Sequence, residues 1–354
     1  MKKSVNLKVY MKIIFSIFFF FLFNCASTQE YTLNEIEKLK INADYIVQNK
    51  SEFLKALESV KKYGTVYVKG NVDINLSGQK NIIIKEGVKL LGDRNVEKKM
   101  RGALIYTTES GVHPFFNASG DNVLIYGLTF KGDDGDILVK EDAFMGKTDK
   151  FKKDNYLVLY NKNMYATPVS SGIATKNKNL VIDNCELYQW TYTAVYVQKG
   201  AENIQIKNSY IHHNQRFGLG YGITIDAGEA FISNNKFDYN RHSIASTGRI
   251  GSKYIAENNI FYSNGNNSWA VDMHGGKDRN DGTNIAGDYI IVKNNTFYLT
   301  GKGQAVVIRG KSNKTSVVEN NTIHLDKSSS VDKEKVFQQV NGKGNFKIFN
   351  NVIK

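Results

Sequence analysis

Seven copies of one six-residue pattern constrain this chain more than anything else in it. They are Ile182-Asp-Asn184-Cys-Glu-Leu187, Ile206-Lys-Asn208-Ser-Tyr-Ile211, Ile232-Ser-Asn234-Asn-Lys-Phe237, Ala256-Glu-Asn258-Asn-Ile-Phe261, Val292-Lys-Asn294-Asn-Thr-Phe297, Val318-Glu-Asn320-Asn-Thr-Ile323 and Ile348-Phe-Asn350-Asn-Val-Ile353. The first asparagines step by 24, 26, 24, 36, 26 and 30 residues, a period that signals stacked repeats. Apolar residues alternate on both sides of a residue type that tolerates left-handed backbone, so each copy reads as strand, sharp bend, strand. Stacked coils place equivalent residues about 4.8 Å apart. The seven first asparagines, Asn258 and Asn294 among them, are therefore expected to form a buried amide ladder.

The same frame extends upstream. Ile125-Tyr-Gly127-Leu-Thr-Phe130 fits it with glycine at the corner, and Asn81–Ile84, Val88–Leu91 and Thr65–Lys69 read as earlier strands. Residues 51–62 carry Phe53, Leu54, Leu57 and Val60 at helical spacing, with Ser51 as the expected N-cap and Gly64 just beyond. A helix there can close the open end of the first coil. The chain has only 2 prolines, and its 20 Tyr and 20 Phe favour strands over a helical bundle. Capping helix, opening strands and Asn-cornered coils together resemble the single-stranded right-handed parallel β-helix of the pectate lyase-like superfamily over residues 48–354, with a loop insertion at 131–165. The resemblance implies an all-β solenoid, a scaffold that carries lyases, inverting glycoside hydrolases, epimerases, adhesins and phage spikes.

Ahead of the repeat, Ile13–Phe23 is an apolar run too short to span a bilayer and preceded by Lys2, Lys3, Lys8 and Lys12, the layout of a secretory signal. It ends in Leu22-Phe23-Asn24-Cys25, which resembles a bacterial lipobox, although Asn24 is larger than the usual residue there. The expectation is a signal peptide over 1–24, lipidation at Cys25, a polar tether over 25–47 and an extracytoplasmic domain held to a membrane by its lipid. Cys185 is then the one other thiol, and no intramolecular disulfide is available. The formal charge is +13, or +9 without the four leader lysines. That surplus suits an anionic partner; an anionic polysaccharide is the expected one, with no nucleic acid, for a monomeric protein.

Chemistry on such a scaffold belongs to outward side chains on neighbouring coils. Aligning Ala194–Val197, Gly222–Ile225, Ser243–Ser246, Ala270–Met273 and Ala305–Ile308 puts Val195, Ile223, Ile244, Val271 and Val306 in one inward column. Val197, Ile225, Ser246, Met273 and Ile308 make the next. Tyr221, His242, Asp272, His274, Asp226 and Arg309 then face outward together, with Arg216 and Arg241 in the connecting turns. Trp269-Ala-Val-Asp272-Met-His274 has the spacing of the aromatic-small-apolar-Asp-x-His motif of mannuronan C5-epimerases. The resemblance implies site roles for Asp272 and His274; Trp269 stands where those enzymes have tyrosine, and it cannot exchange a proton.

These residue types suit uronate chemistry. Elimination and C5 epimerisation both begin by neutralising the C6 carboxylate, a task for arginine, lysine or Ca²⁺, and continue with removal of the C5 proton by histidine or ionised tyrosine. Tyr221, His242, Asp272 and His274 are the expected catalytic set, and Arg216, Arg241, Arg309 and Asp226 the expected substrate contacts. The leading expectation is a polysaccharide lyase; a non-catalytic glycan-binding or adhesin solenoid and an inverting hydrolase using Asp226 and Asp272 are the alternatives. Outside this face, His212 and His213 precede Asn214, which with Asn240 and Asn264 suggests a second corner ladder. His113 and His324 stand alone. The carboxylates of Asp133, Asp134, Asp136, Glu141 and Asp142 could hold Ca²⁺, but they lack the periodicity of a Ca²⁺-binding loop. The loop 277–287 is placed to wall one side of a groove.

Overall fold

The computed structural model describes residues 31–133, 168–216, 218–262, 269–301, 303–327 and 329–354. The leader, Cys25, most of the expected 131–165 insertion and Asn264 lie outside them. Among the described residues the strands form three all-parallel sheets of 11, 10 and 9 strands, here called sheets 1, 2 and 3 in the order the chain first enters them. Each turn of chain visits all three. Within every sheet a strand pairs with its equivalent one coil away, so Ile182 pairs with Ile206 and Leu187 with Ile211. The expected solenoid is what forms.

A helix at Lys50–Ser59 closes the first coil. Its N-cap is Asn49, whose Oδ1 accepts the Glu52 amide N–H at 3.0 Å, and not Ser51, which lies inside the first turn. Phe53, Ala56 and Leu57 are buried on the open end of the core, with the Phe53 ring edge-on to Phe116 at 6.2 Å. The stretch read as a tether already holds structure from residue 32. Thr32 caps a helix over Leu33–Ile41 through a reciprocal bond with Glu35. Ile36 buries against Leu91, Leu124, Tyr126 and Val181, and Tyr45–Val47 is the first strand of sheet 1.

The corner between sheets 1 and 2 corrects the expected ladder by one residue. Asn184, Asn208, Asn234, Asn258, Asn294, Asn320 and Asn350 all adopt φ between 51° and 57°, which is the left-handed conformation the bend needs. Their side chains, however, are half-buried or exposed. The interior ladder belongs to the following residue. Asn235, Asn259, Asn295 and Asn321 are 1% exposed. Each Oδ1 accepts the backbone N–H of the equivalent residue one coil earlier, with Ser209, Asn235, Asn259 and Asn295 as donors at 2.9–3.0 Å. Asn351 receives Asn321 in the same way, and Ser209 Oγ receives Cys185. A second ladder at the sheet 2 to sheet 3 corner runs through Trp190, Asn214 and Asn240.

Candidate active site on the outer face of sheet 3

Four consecutive strands of sheet 3 build the site: Tyr221–Ile225, His242–Ser246, Trp269–Met273 and Gln304–Ile308. Their register is the expected one. Ile223 pairs with Ile244, Ile244 with Val271 and Val271 with Val306, and all four are fully buried. The position before this column is small in each coil, namely Gly222, Ser243, Ala270 and Ala305. A Cβ on Gly222 would come within 3.1 Å of Ile211 and 3.3 Å of Phe237, so this position also turns inward. The break in alternation sends the preceding residue outward: Tyr221 meets Arg241, His242 approaches Asp272 and Trp269 lies under Arg309. They form a continuous ring stack, Tyr221 to His242 at 5.5 Å and His242 to Trp269 at 5.7 Å, both within 15° of parallel.

Asp272 is the hub. It points outward between Ala245 and Val307, yet it is fully buried because its partners cover it. Arg309 grips both carboxylate oxygens, Nε to Oδ1 at 3.1 Å and Nη2 to Oδ2 at 2.7 Å, the bidentate geometry that makes such pairs strong. His274 Nε2 lies 3.0 Å from Oδ2. Burial works to raise the Asp272 pKa, but the His274 hydrogen bond and the neighbouring positive charges outweigh it and hold the carboxyl down at about 2. Held on the ionised side in this way, Asp272 acts as a partner for His274 and Arg309 and not as a proton donor.

The two histidines around that carboxylate differ. His242 is 1% exposed, and its Nδ1 donates to the Trp269 carbonyl at 2.7 Å. Burial pushes its pKa down to about 3 despite the pull of Asp272, so the 3.8 Å approach of Nε2 to Asp272 Oδ2 involves a neutral ring. His242 is held like a core residue, and the solvent-facing proton-transfer role expected for it does not fit its burial. The His274 side chain is 28% exposed. Because its Nε2–H is committed to Asp272, the atom that can accept a proton is Nδ1.

The expected substrate contacts separate in the same way. Arg309 does not stand ready for a sugar carboxylate: beyond its two bonds to Asp272, its Nη1 bonds Asp278 at 2.9 Å and its guanidinium lies 4.9 Å over the Trp269 ring. Arg241 lies 5.8 Å over the Tyr221 ring and donates to its hydroxyl at 3.4 Å. Burial raises the Tyr221 pKa, with Arg241 opposing; its hydroxyl donates to the Gly218 carbonyl at 2.8 Å. Arg216 sits in the turn before this strand, bridged by its backbone to Leu219. Asp226 is 8% exposed and already held by Thr247 Oγ1 at 2.7 Å and by Arg249 Nη1 at 2.9 and 3.1 Å. Asp226 and Asp272 are each committed to an arginine partner, so the two are not laid out as the free acid and base pair of an inverting hydrolase.

Three features had no clear signal in the sequence. Asp278, in the short helix Gly276–Arg279, steadies Arg309. Trp269 serves as the shelf on which that guanidinium rests. His212 and His213 turn out to be linked: His212 Nε2 meets Glu186 Oε1 at 3.0 Å and its Nδ1 meets His213 Nδ1 at 2.6 Å, with Tyr188 and Tyr210 stacked on the ring. His113 Nδ1 bonds Ser171 Oγ at 2.7 Å, and His324 stacks on Tyr298. Among the described residues no three His, Cys, Asp or Glu side chains are grouped so as to hold a metal ion. The carboxylates named for Ca²⁺ lie, apart from Asp133, outside those residues.

Comparison with known proteins agrees with this architecture. A family profile described as "Right handed beta helix region" matches residues 154–276. No curated protein matches the chain. Solved structures that do resemble it include an alginate lyase from Paenibacillus sp. str. FPU-7, at 17% identity and a TM-score of 0.57, covering 87% of this chain and 94% of that one. A hyperthermoactive exopolygalacturonase from Thermotoga maritima is similar over 89% of this chain and 85% of its own, at 13% identity and a TM-score of 0.51. At such identities the likeness is one of fold: the chain is an all-β, right-handed parallel β-helix.

Proposed function

We propose that the chain is an enzyme that cleaves a uronate-containing polysaccharide by β-elimination on the outer face of sheet 3. The observation that carries this reading is the pairing of a buried, ionised Asp272 with the Nε2 of a solvent-reached His274, which leaves Nδ1 as a base of fixed orientation. In the proposed reaction Arg241 offsets the charge of the C6 carboxylate and His274 Nδ1 takes the C5 proton. The C5–H electrons form the C4–C5 double bond as the C4–O4 bond breaks. A water protonates the departing O4; Tyr221, two rungs from His274 and kept protonated by its burial, carries Arg241 over its ring instead. Asp272 and Arg309 hold the imidazole in place, and His242 fixes the spacing between the Tyr221 and Trp269 rings. Fold analogy with the alginate lyase and the exopolygalacturonase agrees with a polysaccharide substrate.

The same proposal places the enzyme outside the cytoplasm, tethered through lipid on Cys25, so a Cys25→Ala protein should leave the membrane fraction. The decisive assay incubates the purified protein with alginate, pectate and glycosaminoglycans and follows unsaturated-uronate absorbance. His274→Ala should lower the rate by about 10² to 10⁴ with the melting temperature retained. A wild-type protein that produces no unsaturated product from any of these polymers overturns β-elimination.

A further inference from the structure

Beyond the C-terminal ends of the sheet 3 strands lies a cavity of about 400 Å³ that the chemistry at His274 does not use. It is lined by Lys199, Arg249 and Arg279, with Asp281, Ile250 and Ile285 among its other walls. Lys199 follows the strand Thr193–Val197 and Arg249 follows His242–Ser246, so the cavity spans coils that precede the Trp269–Met273 coil. At about 4.8 Å per coil it begins one rung from His274 and ends three rungs away. The backbone ladder runs unbroken between the two places: His274 N–H donates to Ser246 O at 3.0 Å and Thr247 N–H to Ile225 O at 3.0 Å.

One loop serves both. In the segment 275–287, Asp278 holds Arg309, while the adjacent Arg279 is pinned to the Thr247 carbonyl at 2.7 Å, the Ile285 carbonyl at 2.9 Å and Asp281 at 2.8 Å. Arg279 is spent on shaping the cavity. Arg249 is not. It uses a single nitrogen, Nη1, for both Asp226 oxygens, and its side chain is 61% exposed. Lys199 is exposed as well. Counting Asp226 beneath Arg249, three cations stand against two carboxylates, so the cavity is left one positive charge in excess.

We infer that this cavity is an anion subsite of the same groove, which binds one carboxylate of the glycan, one to three sugar residues from the unit at His274, through Lys199 and Arg249. The inference rests on the proposed uronate substrate and extends it: a pyranose ring in an extended chain is about as long as one rung, so a polyuronate lying along the axis brings a carboxylate to the cavity while another sits at the catalytic rung. Asp226 acts here as a positioning residue, since its two oxygens set the direction of the Arg249 guanidinium. The enzyme should accordingly prefer long anionic chains, because short ones never reach the cavity.

The test measures binding and turnover separately on the full chain. Dissociation constants for uronate oligomers of increasing length are measured by calorimetry for wild type, Lys199→Ala and Arg249→Gln, with melting temperatures as a check on folding and Arg249→Lys as the charge-retaining control. Each charge removed should weaken binding of the longer oligomers about tenfold or more, the scale of a charge-assisted hydrogen bond. The loss should shrink in high salt and be partly restored by Arg249→Lys. Equal affinities in wild type and both variants overturn the subsite, as does a loss that is the same at every oligomer length. Binding that weakens as expected in a wild-type protein that cleaves nothing keeps the subsite and removes β-elimination. Turnover of long polymers with KM unchanged in both variants does the reverse. A sulfated neutral glycan that binds in preference to the uronates shows that the cavity takes a sulfate ester and not a carboxylate.

Discussion

Two ladders run along the same solenoid axis, one at the corner between sheets 1 and 2 and one on the outer face of sheet 3, and they are built on opposite plans. At the corner each coil contributes the same chemistry: a left-handed asparagine, then a small polar residue whose side chain receives the coil before it. On the sheet 3 face no two coils agree. The outward column that holds Asp272 has Thr224, Ala245 and Val307 on its other rungs, and the column beside it runs Tyr221, His242, Trp269 and Gln304. Repetition serves the corner because every rung must satisfy the same backbone N–H group. A reacting sugar presents different atoms at successive rungs, so a site has to depart from the repeat.

If that contrast is right, the two places fail differently when broken. Asp272→Ala should have the largest effect of any single change, because it strands Arg309 beside Trp269 and frees His274: about 3 to 5 kcal/mol of stability for a broken buried pair, together with loss of turnover. Asn295→Leu should leave the Asn259 backbone N–H and the Ala256 carbonyl without their partners, at about 1 to 3 kcal/mol for each buried group. The surviving folded fraction should turn over normally. Denaturant titration beside specific activity checks both. An Asn295→Leu protein that is fully stable, or an Asp272→Ala protein that stays active, breaks the comparison.

The fold was legible because seven repeats fix a period, and the period fixes which residues stack. The sheet 3 register was legible for the same reason, and it brought Tyr221, His242, Asp272 and His274 to one face. What misled was the Asn-Asn pair, in which both residues are good at corners and either can face inward. A usable signal was present all the same. The first position is asparagine in all seven copies, as left-handed backbone prefers, whereas the second runs Cys185, Ser209 and then asparagine, the tolerance of a site that asks only for a small polar side chain. Burial was the other gap. Nothing local in the sequence shows that Arg309 would be spent on Asp272 and Asp278, or that two rings would enclose His242.

Acid sharpens the comparison further, because the histidines lie at sheet 3 and at its border while the asparagine ladder does not titrate. The pKa of His242 is held down at about 3 and that of His213 at about 4, each by burial, against about 6.5 in an unfolded chain. Between about pH 6.5 and pH 4 the unfolded chain binds protons that the folded one refuses, so stability falls as pH falls, by about 1.4 kcal/mol per pH unit for each histidine. Asp272, ionised down to about pH 2, adds its own loss only below about pH 3.9. Melting temperature should thus begin to drop near pH 6.5. His242→Phe, which keeps a flat ring between Tyr221 and Trp269, should make that drop shallower, and an unchanged acid profile in this variant shows that His242 is not held neutral.

The smallest effect expected lies one residue from the ladder. Asn294 contributes its left-handed backbone, φ 57°, and its amide N–H, which donates to the Glu319 carbonyl at 3.2 Å; its side chain is exposed. Asn294→Ala keeps the backbone bond and loses only the ease with which asparagine adopts left-handed backbone, about 1 kcal/mol, and Asn294→Gly should lose almost nothing because glycine takes that conformation freely. Set beside Asn295→Leu, the pair tests the assignment at single-residue resolution. Should Asn294→Gly prove as damaging as Asn295→Leu, the amide of Asn294 is what holds the corner, and the ladder belongs to the first asparagine after all.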